Sequence, residues 1–121
     1  AAPAHEKVTA AQIIGAHPQL LARARAAGLK VIVGTLLPYE GAAYANAAGE
    51  QQRQTVNRWI RENARLFDAV IDFDTAMQEP GKPGVMRRAW HVGDYLHPND
   101  AGYAAMAKAA LPVVLRQGCG R

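Results

Sequence analysis

Lys30-Val31-Ile32-Val33-Gly34-Thr35-Leu36-Leu37 is a nearly continuous apolar run. A strand with one wet face alternates apolar and polar side chains. This segment alternates too little for that and reads as a parallel strand buried on both faces. Upstream, Thr9 and Gln12 have capping-box spacing, and Ile13, Ile14, His17, Leu20, Leu21 and Ala24 recur on one helical face. That predicts an amphipathic helix over about 9 to 27, stopped by Gly28 and kinked or locally disrupted at Pro18, which lacks an N–H to donate.

Downstream, Pro38 to Gly49 reads as a loop with two tyrosines, and Val56, Trp59, Ile60, Asn63 and Phe67 mark a second helix of about 50 to 65. Ala69-Val70-Ile71-Asp72-Phe73 is a second short apolar strand. Residues 78–93 are rich in Pro, Gly and Arg without either period, so they read as one long loop, usually functional or mobile in a compact domain. A last helix is expected from about Asn99 to Ala110, capped by Asn99, with Tyr103, Met106, Ala107, Ala110 and Leu111 on its inner face and an end or bend at Pro112.

The order α, β, α, β, long loop, α is the pattern of an open parallel sheet with helical crossovers, hence an α/β fold. Only two strands are visible, and a two-stranded sheet is marginal by itself. The chain therefore reads as the second half of a domain, an expectation that its lack of an initial Met accompanies.

Composition narrows the function classes. Half of the 121 residues are apolar, but 25 of them are Ala, so the core is thin. No stretch reaches the ~20 apolar residues of a membrane span, and Ala1-Ala2-Pro3-Ala4 has neither the basic start nor the apolar run of a signal peptide. A net charge of +4 and a pI near 9.6 raise the question of an anionic partner. Glu62 interrupts the face of Arg58, Arg61 and Arg65, and Arg87-Arg88 is only a pair, which argues against nucleic acid as a partner. Cys119 has no second cysteine to pair with, and on a Gly-flanked tail nothing nearby would lower its pKa and make it a nucleophile. Serine is wholly absent from the chain.

The chemistry gathers in Gly93-Asp94-Tyr95-Leu96-His97-Pro98-Asn99-Asp100-Ala101-Gly102-Tyr103, where the long loop enters the last helix at the carboxyl end of the sheet. Ligand sites of open α/β sheets lie at that end. An Asp three residues before a His can hold one ring nitrogen and leave the other free to take a proton from a nucleophile. Two bland readings stand beside this one: Asp94 binding only its own loop, and His97 merely capping the helix. His91, Asp94 and His97 also have side chains suited to a metal, although loop spacing alone does not supply the geometry, so no metal is expected. Asp72 and Asp74 read as turn or capping residues. Tyr39, Glu40 and Tyr44 follow the first strand and are candidates for lining a substrate pocket, with a polar surface loop as the other reading.

This segment resembles the last conserved block of the SGNH, or GDSL, hydrolases, D-x-x-H-P-N-x-x-G-Y, which Asp94, His97, Pro98, Asn99, Gly102 and Tyr103 match at every fixed position. Gly28 to Val31, Thr35 to Gly41, Asn57-Trp59-Ile60 and Phe67 to Asp72 look like the fourth-strand region and the following helix and strand of bacterial members. The resemblance implies a flavodoxin-like, three-layer α/β/α domain with a parallel sheet, of which 1–121 is the C-terminal half and the N-terminal strands are missing. It implies a serine ester hydrolase in which His97 is general base and acid and Asp94 orients it, with no metal or organic cofactor. The family's Ser nucleophile and its oxyanion Gly and Asn do not carry over, and the chain begins just after the last of their blocks. The expected partners are an ester substrate and either the missing N-terminal half or a second copy of this chain. A secreted or periplasmic setting is common among resembling proteins. The alternative is a non-catalytic binding or structural module that keeps the second half of the fold.

Overall fold

The computed structural model describes residues 8–118. Helix α1 spans Ala10–Ala26. The Thr9 hydroxyl accepts from Gln12 N–H while the Gln12 side chain accepts from Thr9 N–H, a closed capping box. Pro18 lies inside α1 without interrupting it. Proline removes one donor from a helix whose Ile13 and Ile14 pack against the core, and that packing holds the helix together across the gap.

Strand β1 is Ile32–Gly34 and β2 is Ala69–Ile71. They pair in parallel, Ile32 with Ala69, Val33 with Val70 and Gly34 with Ile71, across helix α2, Ala47–Glu62. Both strands are shorter than their apolar runs. Thr35 N–H still reaches Ile71 O at 3.1 Å, but Asp72 then leaves to cap a short helix α3, Phe73–Met77. Leu36 is held instead by the side chain of Asn57, whose Oδ1 accepts from its N–H at 2.7 Å and whose Nδ2 donates to its C=O at 2.9 Å. An amide side chain thus replaces a strand at the carboxyl end of β1. Residues Val31 to Gly34 are half-buried rather than enclosed, and among the described residues β1 pairs with β2 alone.

The expected long loop at 78–93 contains regular structure. Strands β3, Gln78–Glu79, and β4, Lys82–Met86, form an antiparallel hairpin. It turns through Pro80-Gly81, with Gly81 at φ 78°. Pro-Gly is turn chemistry that closes such a hairpin, while Pro83 and Gly84 mask the strand period in the sequence. A 3₁₀ turn, Arg88–Trp90, follows.

Helix α4 runs through Pro112, from Asp100 to Arg116. Its packed side is only partly the one expected. Gly102 is buried and Met106, Ala110, Val113 and Val114 are half-buried, whereas Tyr103, Ala107 and Leu111 face outward. At Gly102 the helix touches the Trp90 carbonyl so closely that a Cβ would collide with it. That contact sets the rotation of the helix.

The result is a three-layer α/β/α arrangement. Ala10, Val56 and Ile60 form the central cluster, with Ile13, Ile14, Val33, Trp59 and Val70 packed onto it from α1, α2 and both strands. Helix α4 packs against β2 and α3, near the fully buried Met77 and Met86. Among the described residues no helix is long and apolar enough to cross a membrane. Ala1-Ala2-Pro3-Ala4 and Cys119 lie outside the described residues.

Candidate active site

Asp94 and His97 sit on the loop between the 3₁₀ turn and α4. That loop is closed at its base: His91 and Pro98 form a β-bridge and Val92 N–H donates to His97 O at 3.0 Å. Asn99 then caps α4, its Oδ1 accepting from Gly102 N–H at 2.9 Å while its Nδ2 donates to the carbonyls of Ala89 and His91. One asparagine therefore ties the helix start to both arms of the loop.

Within this frame Asp94 Oδ2 lies 2.6 Å from His97 Nδ1. Asp94 Oδ1 accepts from the N–H groups of Leu96 and His97, each at 2.9 Å. The hydrogen bond from the His97 ring, then that from its backbone N–H, hold the Asp94 carboxyl far below the usual carboxylate range. An ionised carboxylate can only accept, so the proton between the two groups belongs to Nδ1. The lone pair of the neutral ring is then on Nε2, and the His97 side chain is 68% exposed. Chemically, this is an oriented imidazole with a free basic nitrogen.

The third residue of the spacing considered for a metal does not converge with this pair. His91 is buried, and its Nδ1 accepts from the backbone N–H groups of Gly93 and Tyr95. Among the described residues no group of three or more His, Cys, Asp or Glu could hold a metal ion.

Tyr39 and Glu40 are separated by their surroundings. Tyr39 lines a cavity of about 830 Å³ that also takes in Leu36, Leu37, Tyr44, Val56 and Leu96, the last of these from the dyad loop. Glu40 is exposed, and its backbone N–H bonds Gly84 O of the hairpin at 2.9 Å. Both residues line a smaller hollow beside Asn46 and Glu50.

Asp72 and Asp74, read as turn residues, do more than turn the chain. Asp72 caps α3 by accepting from Thr75 N–H and also takes Arg61 Nε and Nη2 at 3.0 and 2.9 Å. Asp74 is buried between Arg53 at 2.5 Å and Arg61 at 2.8 Å. Arg53, itself buried, continues to Glu50 and to the carbonyl of Leu36. The sequence reading missed Arg53 because an arginine on an amphipathic helix ordinarily faces water. It missed the role of His91 because nothing local marks a histidine as an acceptor for backbone N–H groups.

No curated protein matches the sequence. Among solved structures, a Bacteroides fragilis protein provisionally identified as an acylhydrolase superposes with a TM-score of 0.79 at 20% identity, over 92% of this chain and 54% of that one. The present chain thus spans about half the length of that neighbour, and the likeness establishes the fold. Residues 4–105 match the GDSL-like lipase/acylhydrolase family, a span that includes both strands and the whole dyad loop. On that match the chain belongs to the GDSL-like lipase/acylhydrolase family.

Proposed function

We propose that this chain is the acid–base half of a serine ester hydrolase, with Asp94 and His97 as its contribution and a serine from a segment outside it as nucleophile. The observation that carries the reading is the 2.6 Å contact between Asp94 and His97 Nδ1, which leaves Nε2 on an exposed ring. In the reaction a serine hydroxyl attacks the ester carbonyl while His97 Nε2 takes its proton. The imidazolium, held by Asp94, then protonates the leaving alcohol. Water, deprotonated by the same nitrogen, attacks the acyl-enzyme and releases the acid and the serine. Asp94 stays ionised throughout. Tyr39 and the apolar cavity beside Leu96 are the proposed place for the acyl group, with Glu40 in the smaller neighbouring hollow that Tyr39 also lines.

The absence of serine favours a second reading, a non-catalytic module that kept this half of the fold. Both readings predict an inactive isolated chain, and the natural gene product separates them. On short p-nitrophenyl esters the isolated chain is expected to give no hydrolysis above buffer. The natural gene product, including whatever precedes Ala1, is expected to be active, and Asp94→Asn or His97→Ala should each lower kcat by at least about 10³-fold. A natural product without esterase activity, or one indifferent to His97→Ala, would leave only the module.

A further inference from the structure

The loop that carries Asp94 is held by a side chain with no place in the proton transfer just described. His91 is 6% exposed, and its Nδ1 accepts from Gly93 N–H at 3.0 Å and Tyr95 N–H at 3.2 Å. An imidazole nitrogen accepts only when it is unprotonated, and the neutral ring then carries its proton on the other nitrogen. The two bonds therefore define His91 as the Nε2–H tautomer. That Nε2 is buried without a hydrogen-bond partner among the described residues. Burying a donor unmade is unfavourable, so the position of the ring is set by its other contacts. Its face lies on the ring of Tyr95, centroid to centroid 4.5 Å. On Gly41 a Cβ would come within 2.9 Å of Tyr95 Cγ.

The two N–H groups belong to the residues on either side of Asp94. Gly93 has φ 106° and Tyr95 has φ 58°. Glycine takes a positive φ freely, but a bulky aromatic residue does so only where its surroundings impose it. The bonds to Nδ1 and the packing against the His91 ring are what impose it here. They turn the chain so that both Asp94 oxygens point toward His97.

We propose that His91 is a positioning residue for the Asp94–His97 pair, serving as a neutral acceptor for two backbone N–H groups, and that its protonation releases the loop. The proposal rests on the reading of that pair as catalytic. A proton on Nδ1 would turn the acceptor into a donor facing two donors, and both bonds would be lost. The charged and titratable side chains that line the same hollow as His91 are Arg88 on the 3₁₀ turn and Tyr95 on its own loop; Asp94 is carried on that loop too, and Asp100 stands in the first turn of α4. None of them hydrogen-bonds Nε2.

Asp and Asn side chains readily accept from the N–H two residues onward, as His91 does from Gly93. His91→Asp and His91→Asn therefore keep an acceptor that His91→Ala removes. In the natural gene product, His91→Ala should lower kcat on p-nitrophenyl esters by about 100-fold with little change in KM, the scale of a small misplacement of catalytic groups. His91→Asp should restore most of it. In the chain itself, amide exchange at Gly93 and Tyr95 should accelerate in His91→Ala and return to wild-type protection in His91→Asp. Should His91→Ala not fold, the wild-type chain decides: the Gly93 and Tyr95 amide resonances should shift together with the His91 ring as pH falls. Unchanged protection and kcat in His91→Ala, a His91→Asp no better than the alanine variant, or amides indifferent to His91 protonation would each overturn the proposal. A wild-type protein without esterase activity would instead sink the catalytic reading, while the amide measurements would still report whether His91 holds the loop.

Discussion

At the scale of single residues, the geometry of the Asp94–His97 pair depends on small side chains as much as on the pair itself. Gly102 stands where α4 meets the Trp90 carbonyl, and a Cβ there would also lie 3.0 Å from Pro98 Cβ. Trp90 O is not free to retreat, because Asn99 N–H donates to it at 2.9 Å. Alanine is favoured over glycine in a helix by about 1 kcal/mol. Forcing a methyl into closed packing costs about 1–3 kcal/mol, and more against fixed backbone. Overpacking wins, so Gly102→Ala should lower the unfolding free energy by about 2 kcal/mol or more. A urea titration checks this, and an unchanged or higher midpoint would mean that α4 can shift away from the loop.

At the scale of elements, the carboxyl ends of the strands are held to α2 by charge. The network runs from Asp72 through Arg61 and Asp74 to Arg53 and Glu50. Burial pushes the Asp72 carboxyl up, but Arg61, the Thr75 N–H and hydroxyl, and the Thr35 hydroxyl together bring it down to about 2. A carboxylate whose folded value lies below its unfolded value of about 3.9 stabilises the fold above that pH, and the contribution is lost as pH falls toward 2. Asp72→Asn should therefore melt below wild type at pH 7, with the gap closing between about pH 4 and 2. The side chain is 38% exposed, so solvent screening makes the gap modest. No gap at either pH would show that Asp72 acts only as a cap, a role that Asn fills as well. Arg53→Ala should be the more damaging change. It strips one partner from the buried Asp74 and one of the two side-chain donors from Leu36 O, a loss of about 3–5 kcal/mol for a broken buried pair. Thermal or chemical unfolding reads the difference, and a cost below about 1 kcal/mol would place the pair in the class of screened surface bridges.

At the scale of the whole molecule, two strands must serve as a sheet. Among the described residues the outer edge of β1 has no strand beside it, and an open edge of apolar strand is a template for another strand. The solved neighbour is nearly twice as long as the part of it that this chain covers. We expect the isolated 13.0 kDa chain to associate with itself at low micromolar concentration, and, on the function proposed above, to form a one-to-one complex with the proposed serine-bearing segment. Size-exclusion chromatography with light scattering distinguishes the two assemblies. A monomer that melts cooperatively at 13.0 kDa would show that a two-stranded parallel sheet, a hairpin and four helices suffice.

What could be read in the sequence was what is encoded over short separations. The capping box at Thr9 and Gln12, the periodicity of α2, the Asn99 cap and the Asp94–His97 pair each lie within a few residues, so backbone geometry alone brings their partners together. The order of elements, and with it the α/β class, followed from those local signals. The ends of β1 were not legible, because they depend on Asn57, 21 residues away, taking over the backbone of Leu36. Nor was the rotation of α4, which one glycine against a distant carbonyl decides over a stripe of larger apolar residues. The burial of Arg53 and the acceptor role of His91 belong to the same class. Each places a polar group where only the assembled neighbours can satisfy it, and which neighbours those are is settled by packing rather than by spacing along the chain.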